Sequence, residues 1–284
     1  MEKVLVTGAT GFIGSYVIPE LLKRGVHVVA TSRDAEKAKK SEWIRNVNYV
    51  PFDLSRDVAE KNLFEVFDRP DRLIHLAWPG LPDYKSLFHF EKYLPEQYAF
   101  LKGLIDSGCK NIAVTGTCFE YGMKTGMLSE RDHADPANPY GLAKFTLLRF
   151  LQELQKQQPF RLKWVRLFYM YGKGQNPKSI FSQLDKAISA GEQEFNMSGG
   201  EQVRDFLPVE KVASNIVGIA MQDKVEDVVN CCSGNPVKLK DLVRSYLDNR
   251  NVSMKLNLGY YPYPDYEPME FWGDSKKLQT IINE

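Results

Sequence analysis

Thr7-Gly8-Ala9-Thr10-Gly11-Phe12-Ile13-Gly14 decides the reading of this chain. An apolar run, Lys3 to Thr7, precedes it, and an amphipathic stretch, Phe12 to Arg24, follows. The glycines therefore stand at a strand-to-helix turn. Glycine lets the backbone turn tightly and approach a ligand, and the free N–H groups of a helix start suit a pyrophosphate. A bare structural turn is the plainer alternative. Strand before and helix after favour a dinucleotide site instead.

Outward from this loop, short apolar runs alternate with amphipathic ones. Gly25 ends the first helix and Val26 to Thr31 gives a second strand. Further strands are expected at Val47–Phe52, Leu73–Ala77, Asn111–Thr115 and Leu162–Phe168, with a long helix over Pro139–Gln157. Continuous apolar strands between helices predict an α/β fold, a Rossmann-like doubly wound parallel sheet covered on both faces. After Tyr171 the segments shorten and gain Gly, Pro and aromatics, which predicts a small C-terminal substrate lobe. The expected division is 1–172, with 206–235 returning to the sheet, for the dinucleotide; 173–205 and 236–284 form the lobe.

Composition excludes several classes. The 284 residues carry 37 Lys and Arg against 36 Asp and Glu, a net charge of +1, so no nucleic-acid partner is expected. No apolar run reaches the roughly 18 residues of a membrane helix. Entry into a strand at Lys3 predicts no secretory leader and a cytoplasmic location. Cys109, Cys118, Cys231 and Cys232 form no C-x-x-C and no pairing with histidines at ligand spacing, so neither a metal nor a disulfide framework is expected.

The second strand ends Thr31-Ser32-Arg33-Asp34. An NAD enzyme usually places a carboxylate there for the ribose hydroxyls. Ser32 and Arg33 instead suit a 2′-phosphate, which favours NADP(H), with NAD(H) the alternative should Asp34 take the ribose. Tyr140 and Lys144 lie one helical turn apart and share a face. An ammonium and an oxidised nicotinamide beside the phenol would both favour its phenolate, making Tyr140 a proton shuttle. The same Tyr-x-x-x-Lys spacing recurs at Tyr98/Lys102 and Tyr169/Lys173. Only Tyr140 opens a long helix, behind Asn138-Pro139, with a hydroxyl-rich segment about 20 residues upstream.

The G-x-x-G-x-x-G spacing after Thr7, with this Tyr-Lys pair, resembles the extended short-chain dehydrogenase/reductases that act on nucleotide sugars, the NAD-dependent epimerase/dehydratase family. The resemblance covers essentially the whole chain. It implies cofactor contacts from Thr7, Gly8, Thr10, Gly11, Phe12, Ile13, Gly14, Ser32 and Arg33. Asp53 with Leu54 would lie beside the adenine, and Leu76, Ala77 and Trp78, after the structural His75, beside the nicotinamide. Thr117, four residues before Tyr121-Gly122, matches the family's substrate-binding hydroxyl, with Thr115 as fallback. Related dehydratases carry Asp-Glu where this chain has Cys118-Phe119, so dehydration is not expected. Cys118 is read as packing, its alternative being a proton carrier in the substrate site. Gln202-Val203-Arg204-Asp205-Phe206 is similar to the segment whose Arg forks onto the diphosphate, and Tyr169 stands where the family has a substrate-contacting Asn. His27, His89 and His133 are read as ordinary core or surface histidines.

The implied function is NADPH-dependent reduction of the C4 ketone of a nucleotide-linked 4-keto-6-deoxyhexose, feeding surface polysaccharide synthesis, by a cytoplasmic homodimer. Tyr140 would give the proton, Thr117 hold the oxygen and Lys144 anchor the ribose. A nucleotide-sugar 4-epimerase with resident NAD is the enzymatic alternative. A non-catalytic NADP-binding scaffold is the other.

Overall fold

A computed structural model describes residues 2–58 and 62–282. In chain order the first part holds β1 (Lys3–Thr7), α1 (Gly14–Lys23), β2 (His27–Ser32), α2 (Ala35–Lys39), β3 (Asn48–Pro51), α3 (Leu63–Val66), β4 (Arg72–His75), α4 (Leu94–Ser107) and β5 (Asn111–Thr117). Next come β6 (Gly126–Leu128), α5 (Pro139–Gln157), β7 (Arg161–Leu167), β8 (Tyr169–Tyr171), α6 (Ile180–Ser189), β9 (Glu194–Asn196), β10 (Val203–Pro208), α7 (Val209–Met221) and β11 (Val228–Cys231). The remainder is β12 (Pro236–Lys238), α8 (Leu239–Asp248), β13 (Lys255–Asn257), β14 (Phe271–Gly273) and α9 (Lys276–Ile282).

Seven strands form one parallel sheet in the order β11-β7-β5-β4-β1-β2-β3, the expected doubly wound architecture. Val4, Leu5, Val6 and Ile74 are buried because helices cover both faces. Val17, Ile18 and Leu21 of α1 pack with Val212 and Ile216 of α7 on one side. Phe100, Leu101 and Leu104 of α4 pack with Leu147 and Leu151 of α5 on the other. A separate cluster joins Phe181 and Leu184 of α6 to Phe195, Leu239 and Val243. Among the described residues no helix is long and apolar enough to cross a membrane.

Register sets the carboxyl edge. Thr7 pairs with Thr31 on one side and His75 on the other, so the glycine loop rises where the winding reverses between β1 and β4. Helix α1 starts at Gly14 rather than Phe12, because Gly11 N–H closes a tight turn onto the Gly8 carbonyl at 2.8 Å first. The α7 helix starts at Val209, directly after Pro208 ends β10.

Candidate active site

Gly8 holds a φ of +68°, and a Cβ there would lie 2.9 Å from the Ala77 nitrogen. The loop thus needs glycine both to turn and to press against the backbone just after β4. Thr7 ties the same strands: its hydroxyl accepts from the Leu76 and Ala77 N–H groups at 3.2 and 3.3 Å. It bonds His75 Nδ1 at 2.9 Å, and His75 Nε2 meets Gln97 Oε1 at 2.7 Å. Burial pushes His75 down to about 3, so it stays neutral and structural, as expected.

Beneath this loop lies a cavity of about 260 Å³. Thr7, Gly8, Thr10, Gly11, Ser32, Arg33, Asp53, Leu54, Leu76, Ala77 and Trp78 all line it. Phe12 and Ile13, in the turn, and Gly14, the first residue of α1, are not among the residues that line it; a Cβ on Gly14 would meet the Gly8 and Ala9 carbonyls. Asp34 does not face the cavity, since its carboxylate caps α2 by accepting from Lys37 N–H at 2.9 Å. Burial raises the Asp53 carboxyl, but hydrogen bonds from Ser55 and the charges of Arg56 and Arg33 outweigh it and leave it lowered. A glycine cradle at a helix start, opening on a cavity edged by a hydroxyl and a guanidinium, fits a nicotinamide dinucleotide.

At the far end of the same edge, Asn138 caps α5 by accepting from Gly141 N–H at 2.8 Å. A Cβ on Gly141 would stand 2.6 Å from the Phe119 carbonyl. That missing side chain lets the helix start abut the turn after β5, which brings Tyr140, Thr117 and Lys144 together. Thr117 N–H donates to Glu120 Oε1 at 2.8 Å, and the Thr117 hydroxyl accepts from Phe119 N–H at 3.3 Å. Glu120 is fully buried and also receives Trp164 Nε1 at 2.9 Å and Arg166 Nε at 2.7 Å. Lys144 Nζ donates to the Thr115 carbonyl at 2.7 Å and lies 4.1 Å from the centre of the Trp78 ring.

Burial dominates the titration of both groups. It pushes Lys144 down to about 7 and raises the Tyr140 phenol, with a Thr117 hydrogen bond pulling the phenol back. The expected shift toward phenolate rests on an oxidised nicotinamide beside the phenol and stays an expectation for the cofactor-bound state. In the protein alone Tyr140 stays protonated, because burial disfavours its anion and Tyr84, Glu120 and Cys118 add to that, outweighing the Thr117 hydrogen bond.

Several residues here carried no sequence signal. His89, read as an ordinary histidine, is buried and accepts from Trp78 Nε1 at 3.1 Å, its ring 5.2 Å from that of Tyr140. Tyr84 packs edge-on against Phe119 at 4.9 Å and tilted against Tyr140 at 5.6 Å, and its carbonyl accepts the Tyr140 N–H. Tyr266 closes the same aromatic wall, 6.0 Å from Phe119. Glu120, three residues past Thr117, had only the capping spacing to announce it.

Cys118 is buried beside these rings, and burial raises its thiol pKa. Tyr169 lies 6.5 Å from Phe119 and donates to Glu267 Oε2. Arg204 pairs with Glu267 Oε1 at 3.0 Å, and its terminal nitrogens also reach the carbonyls of Val203, Pro268 and Met269. Its guanidinium bonds are thus made within the chain. The exception is Nε, buried without a partner among the described residues. Tyr98 and Lys102 lie on α4, where Lys102 pairs with Asp106, and Tyr169 and Lys173 straddle β8 and the turn after it.

The model of the NAD dependent epimerase/dehydratase family matches residues 4–232. A dTDP-6-deoxy-L-talose 4-dehydrogenase (NAD(+)) from Aggregatibacter actinomycetemcomitans is 29% identical over 95% of this chain and 98% of its own. A dTDP-4-dehydro-6-deoxyglucose reductase from Escherichia coli is 27% identical over 89% and 82%. Among solved structures, MoeE5 in complex with UDP-glucuronic acid and NAD superposes with a TM-score of 0.82 at 26% identity, covering 99% of this chain and 92% of that one. This chain belongs to the NAD-dependent epimerase/dehydratase family, as an extended short-chain dehydrogenase/reductase of the nucleotide-sugar type.

Proposed function

We propose that the protein is an NADPH-dependent ketoreductase that reduces C4 of a nucleotide-linked 4-keto-6-deoxyhexose, with dTDP-4-dehydro-6-deoxyglucose going to dTDP-fucose as the first candidate. The observation that carries this reading is the end of β2. Asp34 is committed to its helix cap, while Ser32 and Arg33 face the cavity. A 2′-phosphate meets a cation there and no adjacent carboxylate from β2. Similarity to a 4-dehydrogenase of a dTDP-6-deoxyhexose and to a dTDP-4-keto-6-deoxyhexose reductase supports the position and the substrate class.

When bound, the reduced nicotinamide supplies a hydride. Tyr140, held protonated by burial, donates its proton to the alkoxide forming at C4. The Thr117 hydroxyl holds that oxygen, its backbone fixed by Glu120. Lys144, braced by Thr115 and Trp78, anchors the ribose. Residues 1–172 with 206–235 form the dinucleotide part, and the rest, with Arg204 and Tyr169 at its edge, receives the sugar nucleotide. A cytoplasmic homodimer serving surface polysaccharide synthesis completes the reading.

The second reading is a 4-epimerase with resident NAD, favoured by the NAD complexes of similar structures. Mixing the protein with dTDP-4-keto-6-deoxyglucose and NADPH, with NADH in parallel, separates the two. Stoichiometric loss of NADPH absorbance supports the reductase. No loss with either cofactor, and nicotinamide retained by the purified protein, supports the epimerase.

A further inference from the structure

His89 is fully buried and opens a π-helical turn, His89–Tyr93, that leads into α4; such turns recur at functional sites. Both of its ring nitrogens are used. Nδ1 accepts from Trp78 Nε1 at 3.1 Å, and Nε2 donates to the Asp83 carbonyl at 3.0 Å. The partners dictate these roles, since an indole N–H only donates and a carbonyl only accepts. They require a neutral imidazole with its proton on Nε2. Burial lowers the His89 pKa, the bond to Asp83 opposes it, and the Lys144 charge lowers it further.

Trp78 links this imidazole to the reacting groups. The indole N–H is the one hydrogen-bonding group of that side chain, so the acceptor that meets it fixes the rotation of the ring. In that rotation the ring face lies 4.1 Å from Lys144 Nζ, and the ring stands edge-on to Tyr140 at 6.0 Å. Trp78 also lines the cofactor cavity. His89 braces a second contact as well. It holds Asp83, and the next residue, Tyr84, accepts the Tyr140 N–H on its carbonyl at 3.1 Å. One imidazole thus restrains both members of the Tyr140–Lys144 pair, each through an intermediate residue.

We propose that His89 is a positioning residue, which sets Lys144 through the Trp78 indole and Tyr140 through the Asp83–Tyr84 backbone. The inference rests on the roles given to Tyr140 and Lys144 above. Three variants of the full chain test it. His89→Phe keeps a ring and deletes both hydrogen bonds, His89→Asn keeps an acceptor for the indole, and Trp78→Phe removes the donor. Melting curves report whether each is folded. Proton–nitrogen NMR reads the indole N–H signals, with that of Trp78 assigned by its loss in Trp78→Phe. Fluorescence titration with NADPH and with NADH reads dinucleotide affinity, and kcat and KM are taken with dTDP-4-keto-6-deoxyglucose.

His89→Phe is expected to move the Trp78 signal, to weaken the dinucleotide about tenfold or more, and to lower kcat by about 10- to 10²-fold, the scale of a small misplacement. KM for the sugar nucleotide changes little, and His89→Asn recovers most of the loss. Combining His89→Phe with Trp78→Phe costs no more than the worse single change, because one acts through the other. A folded His89→Phe with unchanged dinucleotide affinity and kcat overturns the proposal, as do additive losses in the double variant. Should His89→Phe not fold, Trp78→Phe decides by the same two readouts. If the protein arrives with nicotinamide bound, the retained fraction replaces the titration and falls in His89→Phe. A wild type inactive on this substrate refutes the reductase reading alone, since the indole signal and dinucleotide affinity still decide this one. Failure to bind or retain any nicotinamide dinucleotide refutes both.

Discussion

Lys144 Nζ sits 4.1 Å from the centre of the Trp78 ring while donating to the Thr115 carbonyl at 2.7 Å. The ammonium is therefore held by a π face and one peptide oxygen, not by a carboxylate. A cation so placed keeps its position but loses its hydration, which is why burial lowers it to about 7. This arrangement gives the site its pH behaviour.

A lysine depressed in the folded state is protonated more readily in the unfolded one. Between about 7 and the ordinary 10.5 the unfolded chain binds more protons at this position, so stability rises with pH across that window. Lys144→Met removes the effect. Urea unfolding at pH 7, 8 and 9 is expected to show a rising midpoint in the wild type and a flatter one in the variant. Parallel curves would contradict the depressed lysine.

Tyr140→Phe keeps the ring contacts with Tyr84, Phe119, Trp78 and His89 while deleting the acid. Turnover should fall about 10²- to 10⁴-fold, the usual worth of a positioned proton donor, with cofactor affinity nearly unchanged. Unchanged turnover would refute the proton-donor role.

Glu120→Gln breaks a buried pair and leaves Arg166 charged without a counter-ion. A loss of about 3–5 kcal/mol is expected from chemical denaturation. A variant as stable as the wild type would mean that the pair is not held in the folded protein.

The alternation of strand and helix, the glycine turn and the Tyr140–Lys144 pair were legible because each depends on neighbours within one turn or one strand. The α5 bounds follow from Asn138-Pro139 at one end, a capping side chain and a residue suited to the first helical turn. Glu267, Tyr84 and His89 were not legible. Each reaches the site through a contact that no periodicity encodes: Glu267 meets Tyr169 across 98 residues of chain. The burial that raises the Tyr140 phenol was not legible for a related reason, since desolvation is a property of everything packed around a group and has no local signature.

Arg33→Ser tests the cofactor reading. It should weaken NADPH binding by about tenfold or more, the loss of one charge-assisted contact, and leave NADH affinity unchanged. Equal weakening of both, in fluorescence titrations, would place Arg33 outside the 2′-phosphate site.

Transfer of hydride to sugar C4 is tested most directly with NADPH deuterated at the transferable position of C4 of its nicotinamide and dTDP-4-keto-6-deoxyglucose. The product, isolated and read by proton NMR, is expected to carry one deuterium at sugar C4 with matching formation of NADP⁺. A C4-reduced product or epimer that forms without deuterium, while NADPH remains unspent, would contradict the reductase.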